Sequence, residues 1–196
     1  TLMQAVQYIT KKEIVLSVTE GVLSVDSGSG KTTINAIPYD EFPSIMKLTI
    51  GGTTIQKNLF ALGIKTVAFA ASQSSIKPEL GSIFIQQKKE HTLTFVATDS
   101  FRLMEKTVPQ KNFVLNQTIL IPQKIAIELA RICDLLETDP TLIINDNQCA
   151  LSFTEGVYIT SRLVSGSFPD YEQIIPKEYS THTTVLKSDV LQAFKK

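Results

Sequence analysis

The residue order predicts an α+β protein built on antiparallel sheet, with one structural unit repeated in tandem along the chain. Three observations lead there. Short segments alternate apolar and polar residues and end at turn-forming glycines and serines, as half-buried strands do. Apolar residues at helical spacing precede these groups of strands. The same order of elements then returns, with Phe42-Pro43 closing one copy and Phe168-Pro169 closing the next.

Taken in order, Leu2, Val6 and Ile9 predict a helix over residues 1–9. Residues 14–18 (IVLSV) alternate, a turn is expected at Glu20-Gly21, and Val22-Leu23-Ser24-Val25 forms the next strand. A Gly/Ser turn leads into a strand over residues 32–37, and Asp40-Glu41-Phe42-Pro43 closes the copy. Residues 48–50 read as a strand running into a polar cap at Thr53-Thr54 and a helix from Ile55, with Leu59 and Leu62 on its apolar side. A later helix is expected over residues 125–136, where Ile125, Leu129, Ile132 and Leu136 make one stripe and Pro122 suits the first turn. Residues 141–144, 150–153 and 157–164 predict strands, the last two joined by a turn at Glu155-Gly156, before Ser167-Phe168-Pro169-Asp170 closes the copy. Residues 184–186, followed by Ser188-Asp189 and residues 190–194, repeat the strand, cap and helix of residues 48–62. Each unit thus reads strand, helix, strands, helix, strands. The expected divisions are the tail of one unit over residues 1–45, a whole unit over 46–180 and the head of a third over 181–196.

The whole-chain properties narrow the class. The 196 residues suit one to two domains, and 43% hydrophobic with 19% charged residues is ordinary globular composition. A formal net charge of zero means that any surface for nucleic acid must be local. Cys133 and Cys149 lie far apart in apolar surroundings, which suits a reduced cytoplasmic setting rather than a disulfide framework. Residues 1–9 lack the basic lead of a signal peptide, and no apolar run approaches the roughly 20 residues that span a bilayer. Thr1 in place of Met suggests a piece of a longer protein.

Four ordered motifs carry a family resemblance. Ala97-Thr98-Asp99-Ser100-Phe101-Arg102-Leu103 resembles the ATDGHRLA signature of the bacterial DNA sliding clamps, the DNA polymerase III beta subunits. Ser161-Arg162-Leu163-Val164-Ser165-Gly166-Ser167-Phe168-Pro169-Asp170-Tyr171 is similar to their SKLVDGRFPDY segment. Lys77-Pro78-Glu79-Leu80 resembles RPEL, and Leu120-Ile121-Pro122-Gln123-Lys124 resembles IVPRK. The resemblance implies tandem clamp domains with sheets outside and helices lining an inner face. It implies a non-catalytic homodimeric ring that encircles double-stranded DNA without sequence preference. Partners would be DNA polymerase, clamp-loader subunits and repair enzymes, held through short peptide motifs, with no cofactor, metal or membrane.

Carried over position by position, the resemblance implies a partner-peptide groove. The groove would lie between the second and third domains, and its second-domain wall would hold Leu80, Thr98, Ser100, Phe101, Arg102, Leu103, Pro169, Gln173 and Ile174. Apolar Leu80, Leu103, Pro169 and Ile174 would floor a pocket for aliphatic and aromatic anchors. From spacing alone, Leu103 and Ile174 read first as ordinary core and Arg102 as a solvated charge, an order that the resemblance reverses. Phe101 stands where the signature has His, Ser100 where it has Gly, and Gln173 where many relatives are basic, so the rim is expected to be bulkier and more apolar. Lys124 and Arg131 share one helix face, and with Lys65 they are either an ordinary solvated surface or a loose phosphate-contacting one.

Several motifs point elsewhere. Gly28-Ser29-Gly30-Lys31-Thr32 looks like the end of a phosphate-binding loop, but Val25 stands where that motif needs glycine and a strand follows, so a hairpin turn is expected. Gln56-Lys57-Asn58-Leu59-Phe60 resembles a clamp-binding peptide, yet its apolar residues fit a helix core. Asn116-Gln117-Thr118 is a glycosylation sequon without other signs of secretion. His91 and His182 have no ligand-spaced neighbours, and Asp99, lacking a second carboxylate or nucleophile, is expected to cap a turn. The competing functions are a nucleotide-binding enzyme using the Lys31 loop and an α+β interaction module unrelated to replication.

Overall fold

A computed structural model describes all residues except Pro43, Ile45, Thr49, Ile50, Ser75 and Lys196. The chain divides into two units, Thr1–Lys47 and Leu48–Lys196. In the first, α1 (Leu2–Val6) starts at Thr1, whose hydroxyl accepts from the Gln4 amide while the Gln4 side chain reaches back to the Thr1 amine. The helix stops well before Ile9, which bonds back to Val6 as a turn. Strands β1 (Val15–Thr19), β2 (Val22–Asp26) and β3 (Lys31–Asn35) form an antiparallel meander. Glu20 and Gly21 both have positive φ, +48° and +75°, the two-residue turn whose twist matches a hairpin. The second hairpin closes at Gly28-Ser29-Gly30, with Asp26 Oδ1 accepting from the Gly28 amide at 2.7 Å, as expected for a turn rather than a phosphate loop.

One expectation fails here. The alternation of residues 14–18 predicts a half-buried strand, whereas all of β1 is exposed and Val25 of β2 is the buried apolar residue. Alternation marks a strand; burial also needs a layer laid over it. The helix this unit offers is five residues long.

Among its described residues, the second unit holds two antiparallel sheets, a pair of long helices and a short last helix. β4 (Thr53–Thr54) precedes α2 (Lys57–Val67) and a short 3-10 turn (Ala68–Ala70). β5 (Ser82–Gln86), β6 (Thr92–Thr98), β7 (Leu103–Pro109) and β8 (Ile119–Pro122) make one sheet in the order β7-β6-β5-β8. After α3 (Gln123–Leu135), β9 (Thr141–Ile144), β10 (Gln148–Ser152) and β11 (Tyr158–Arg162) join β4 in the order β11-β10-β9-β4. The 154–156 connection is a three-residue turn with Gly156 at φ +79°. A 3-10 turn (Tyr171–Ile174) and α4 (Lys187–Ala193) follow. Phe60 and Ile64 of α2, Leu129 and Cys133 of α3, Phe95 of β6 and Leu151 of β10 share a single core.

Both long helices are turned relative to the predicted stripes. In α2 the buried side is Phe60, Ala61, Gly63, Ile64 and Val67, while Leu62 is 45% exposed. In α3 it is Ala126, Leu129, Ala130 and Cys133, while Ile125 is 39% exposed and Ile132 and Leu136 lie at the margin. The helices pack against each other and the sheets, and small residues on the contact side allow close approach. Large aliphatic residues are thereby displaced to the rim. Helix starts shift too. Thr53-Thr54 pair with β9 instead of capping, Gln56 precedes α2, and Pro122 ends β8 just before α3. The α4 cap is Leu186, with Ser188-Asp189 inside the first turn. Residues 184–186 and Leu48 belong to no strand, and Pro43, Thr49 and Ile50 of the expected pattern lie outside the described residues.

Candidate functional site

The four residues after β6 form a tightly tied hairpin loop. Asp99 Oδ1 accepts from the amides of Phe101 at 2.9 Å and Arg102 at 2.7 Å, and Oδ2 meets the Arg102 guanidinium at 2.8 Å. Those two amides and the guanidinium hold the Asp99 carboxyl down at about 2. Thr98 Oγ1 donates to the Arg102 carbonyl at 2.7 Å and accepts from the Ser100 amide at 3.1 Å. Asp99 is therefore a turn cap, as its sequence setting predicts. Ser100 takes φ +76°, the left-handed region, and Phe101 stands 96% exposed at the tip. Arg102 lies over the Phe69 ring, 5.8 Å from its centre.

The remaining groove candidates differ in exposure. Leu80 is 7% exposed, and its carbonyl accepts from the Ser72 amide at 2.8 Å, so it adjoins the segment that also carries Phe69. Its side chain is core rather than open floor. Leu103 is half-buried at the start of β7, and Pro169 is exposed. Gln173 is held by Asp170 at 2.7 Å, and Ile174 is 68% exposed, which sets aside its reading as core.

A cluster that no spacing signalled fastens residues 168–174 to the sheet. Phe168 stacks on Phe84 of β5 with centroids 4.8 Å apart, and the buried Tyr171 meets Phe168 edge-on. The Tyr171 hydroxyl donates to Glu105 of β7 and accepts from Gln86 at 3.0 Å. Lys88 bridges Glu105 and Glu172, each at 2.7 Å. Burial and the bond to Glu105 push the Tyr171 phenol up to about 12. Partners so distant in sequence leave no local pattern, which is why this cluster escapes a reading by spacing.

On the helix pair, Lys65, Lys124 and Arg131 are all exposed. Lys65 pairs with Asp134 across the two helices, and Arg131 with Glu128 at 2.8 Å. Lys124 has no ion-pair partner among the described residues. Among the described residues there is also no cluster of three or more His, Cys, Asp or Glu able to hold a metal, and no helix long and apolar enough to cross a membrane.

Two four-stranded antiparallel sheets sharing a core with one helix pair define an α+β domain of the DNA-clamp class. Residues 54–170 match the DNA polymerase III beta subunit, central domain. The chain belongs to that family. It is 30% identical over 171 residues to the beta sliding clamp of Pseudomonas aeruginosa, covering 84% of this chain and 45% of that protein. It is 27% identical over 187 residues to the beta sliding clamp homolog GriR of Streptomyces muensis, covering 93% and 49%. The crystal structure of a Bartonella birtlesii sliding clamp bound to griselimycin superposes with a TM-score of 0.78 at 26% identity, covering 90% of this chain and 49% of that one. The chain spans about half the length of the relatives it matches.

Proposed function

We propose that this chain is part of a sliding clamp, a DNA polymerase processivity factor that encircles duplex DNA and tethers partner proteins through a peptide groove. The observation that carries this reading is the match of residues 54–170 to the family's central domain. In the proposal, residues 1–45 complete a first clamp domain, 46–180 form the second and 181–196 begin a third, within a homodimeric ring in the cytoplasm. The role is non-catalytic. Polymerase and clamp-loader peptides dock between the second and third domains, where the 98–103 loop and residues 169–174 form the second-domain wall. Exposed Phe101 and Ile174 supply apolar contact, half-buried Leu103 the inner wall and Thr98, Ser100, Arg102 and Gln173 the polar rim, with Leu80 packing behind. A relative solved with griselimycin bound supports a ligand-accepting surface in the family.

Lys65, Lys124 and Arg131 would face the DNA. Carboxylates already paired to Lys65 and Arg131 weaken their pull on phosphate, which suits a protein that must slide. Titration of a fluorescent Gln-x-x-Leu-Phe peptide onto the protein extended through its third domain tests the groove. Saturable binding weakened by Leu103→Ala and Ile174→Ala is expected; binding indifferent to both changes refutes the assignment. Encirclement predicts that the full-length parent is retained on circular but not on linear DNA, and equal retention on both argues against it.

A further inference from the structure

The outer face of the β7-β6-β5-β8 sheet is covered by residues 168–174 at one place. Glu105, Val96 and Phe84 lie in one row across β7, β6 and β5, each directly paired with the next. Phe168 stacks on Phe84 at one end of the row, and the Tyr171 hydroxyl bonds Glu105 at the other. Side chains two apart on a strand share a face, so Glu105 stands beside Leu103 on the outer side of β7. Met104 and Val108 turn inward to the core. Tyr171, for its part, is 3% exposed and opens the 3-10 turn that carries Gln173 and Ile174.

The Tyr171–Glu105 bond therefore ties the turn bearing Ile174 to the strand bearing Leu103. We propose that Tyr171 and Glu105 are positioning residues for peptide binding: their hydrogen bond sets the separation of the two parts of the second-domain groove wall. This inference rests on the groove reading above. The aromatic stack of Phe168 and Tyr171 holds the segment against the sheet by area and shape, which permits sliding and tilting. A phenol donating to a carboxylate is directional, and so it selects one placement of the turn. Lys88 keeps Glu105 ionised and aimed, being bonded to it at 2.7 Å and lying 4.9 Å from the centre of the Tyr171 ring.

The test uses the protein extended through its third domain and a fluorescein-labelled Gln-x-x-Leu-Phe peptide, with wild type, Tyr171→Phe, Glu105→Gln, Glu105→Ala and Ile174→Ala. Tyr171→Phe keeps the buried ring and is expected to weaken binding about fivefold with an unchanged circular dichroism spectrum and little change in melting temperature. Glu105→Gln retains an acceptor for the phenol and should bind nearly as wild type, whereas Glu105→Ala should match Tyr171→Phe. Tyr171→Phe combined with Ile174→Ala should bind no more weakly than Ile174→Ala alone, because the hydroxyl acts through that wall. If Ile174→Ala weakens binding while Tyr171→Phe does not, or if their effects simply add, the positioning role is overturned and the groove stands. If wild type shows no saturable binding, or Ile174→Ala changes nothing, the groove reading itself fails and takes this inference with it.

Discussion

Ser100 occupies a conformation that a side chain resists, and the reason is visible in the loop it helps form. Its φ of +76° brings the Cβ toward the neighbouring carbonyl, at about 1 kcal/mol for a residue other than glycine. The bonds from Asp99 and Thr98 hold the loop there regardless. The related signature has glycine at this position, so the departure legible in the sequence is not only a matter of rim size; it loads the backbone. Ser100→Gly is expected to raise stability by at most about 0.5 kcal/mol, the relief of strain slightly exceeding the entropy glycine adds to the unfolded chain. Urea unfolding checks this, and a lower midpoint with unchanged slope would contradict it. The capping role of Asp99 was legible because carboxylates before such turns have few other uses. The burial of Leu80 was not, because exposure depends on segments that reach it from Ser72 onward.

At the scale of elements, most of the predicted strands form, though residues 184–186 do not, and the helix phases were not legible. Alternation survives any placement of a strand, and β9 appears where residues 141–144 predict it. A helix can rotate, and what decides the rotation is the surface it meets. In α2, the site of a Cβ on Gly63 lies 2.4 Å from the Phe95 ring, itself wholly buried and packed edge-on against Phe60. The glycine is there to let the helix close on β6. Gly63→Ala is expected to destabilise the protein by about 2 kcal/mol, the overpacking outweighing the gain in helix propensity of about 1 kcal/mol. Thermal melting measures it, and an unchanged or raised melting temperature would show that Phe95 yields easily. The same logic explains why the seemingly apolar stripe of α3 sits partly at the surface while Ala126 and Ala130 are inside.

For the molecule as a whole, the two cysteines report on the core. Cys133 and Cys149 are free and buried, and burial pushes their thiols up to about 11 and 12. Raised values leave almost no thiolate at about pH 8, where an exposed cysteine reacts readily. Both are expected to resist a disulfide-exchange reagent in the native protein and to react at a rate that climbs with urea as the second unit opens. Fast labelling of either thiol without denaturant would show that the core is not closed around it. The α+β class, the antiparallel strands, the Glu20-Gly21 turn and the hairpin at residues 28–30 were determined by the sequence alone, since each follows from local periodicity or from backbone freedom at single residues. Tertiary structure decided the helix faces, the exposure of β1, the carboxylate partners of Lys65 and Arg131, and the Tyr171–Glu105 tie. These depend on which distant segments come to lie together, and packing and hydrogen bonding over such separations leave no trace in local order.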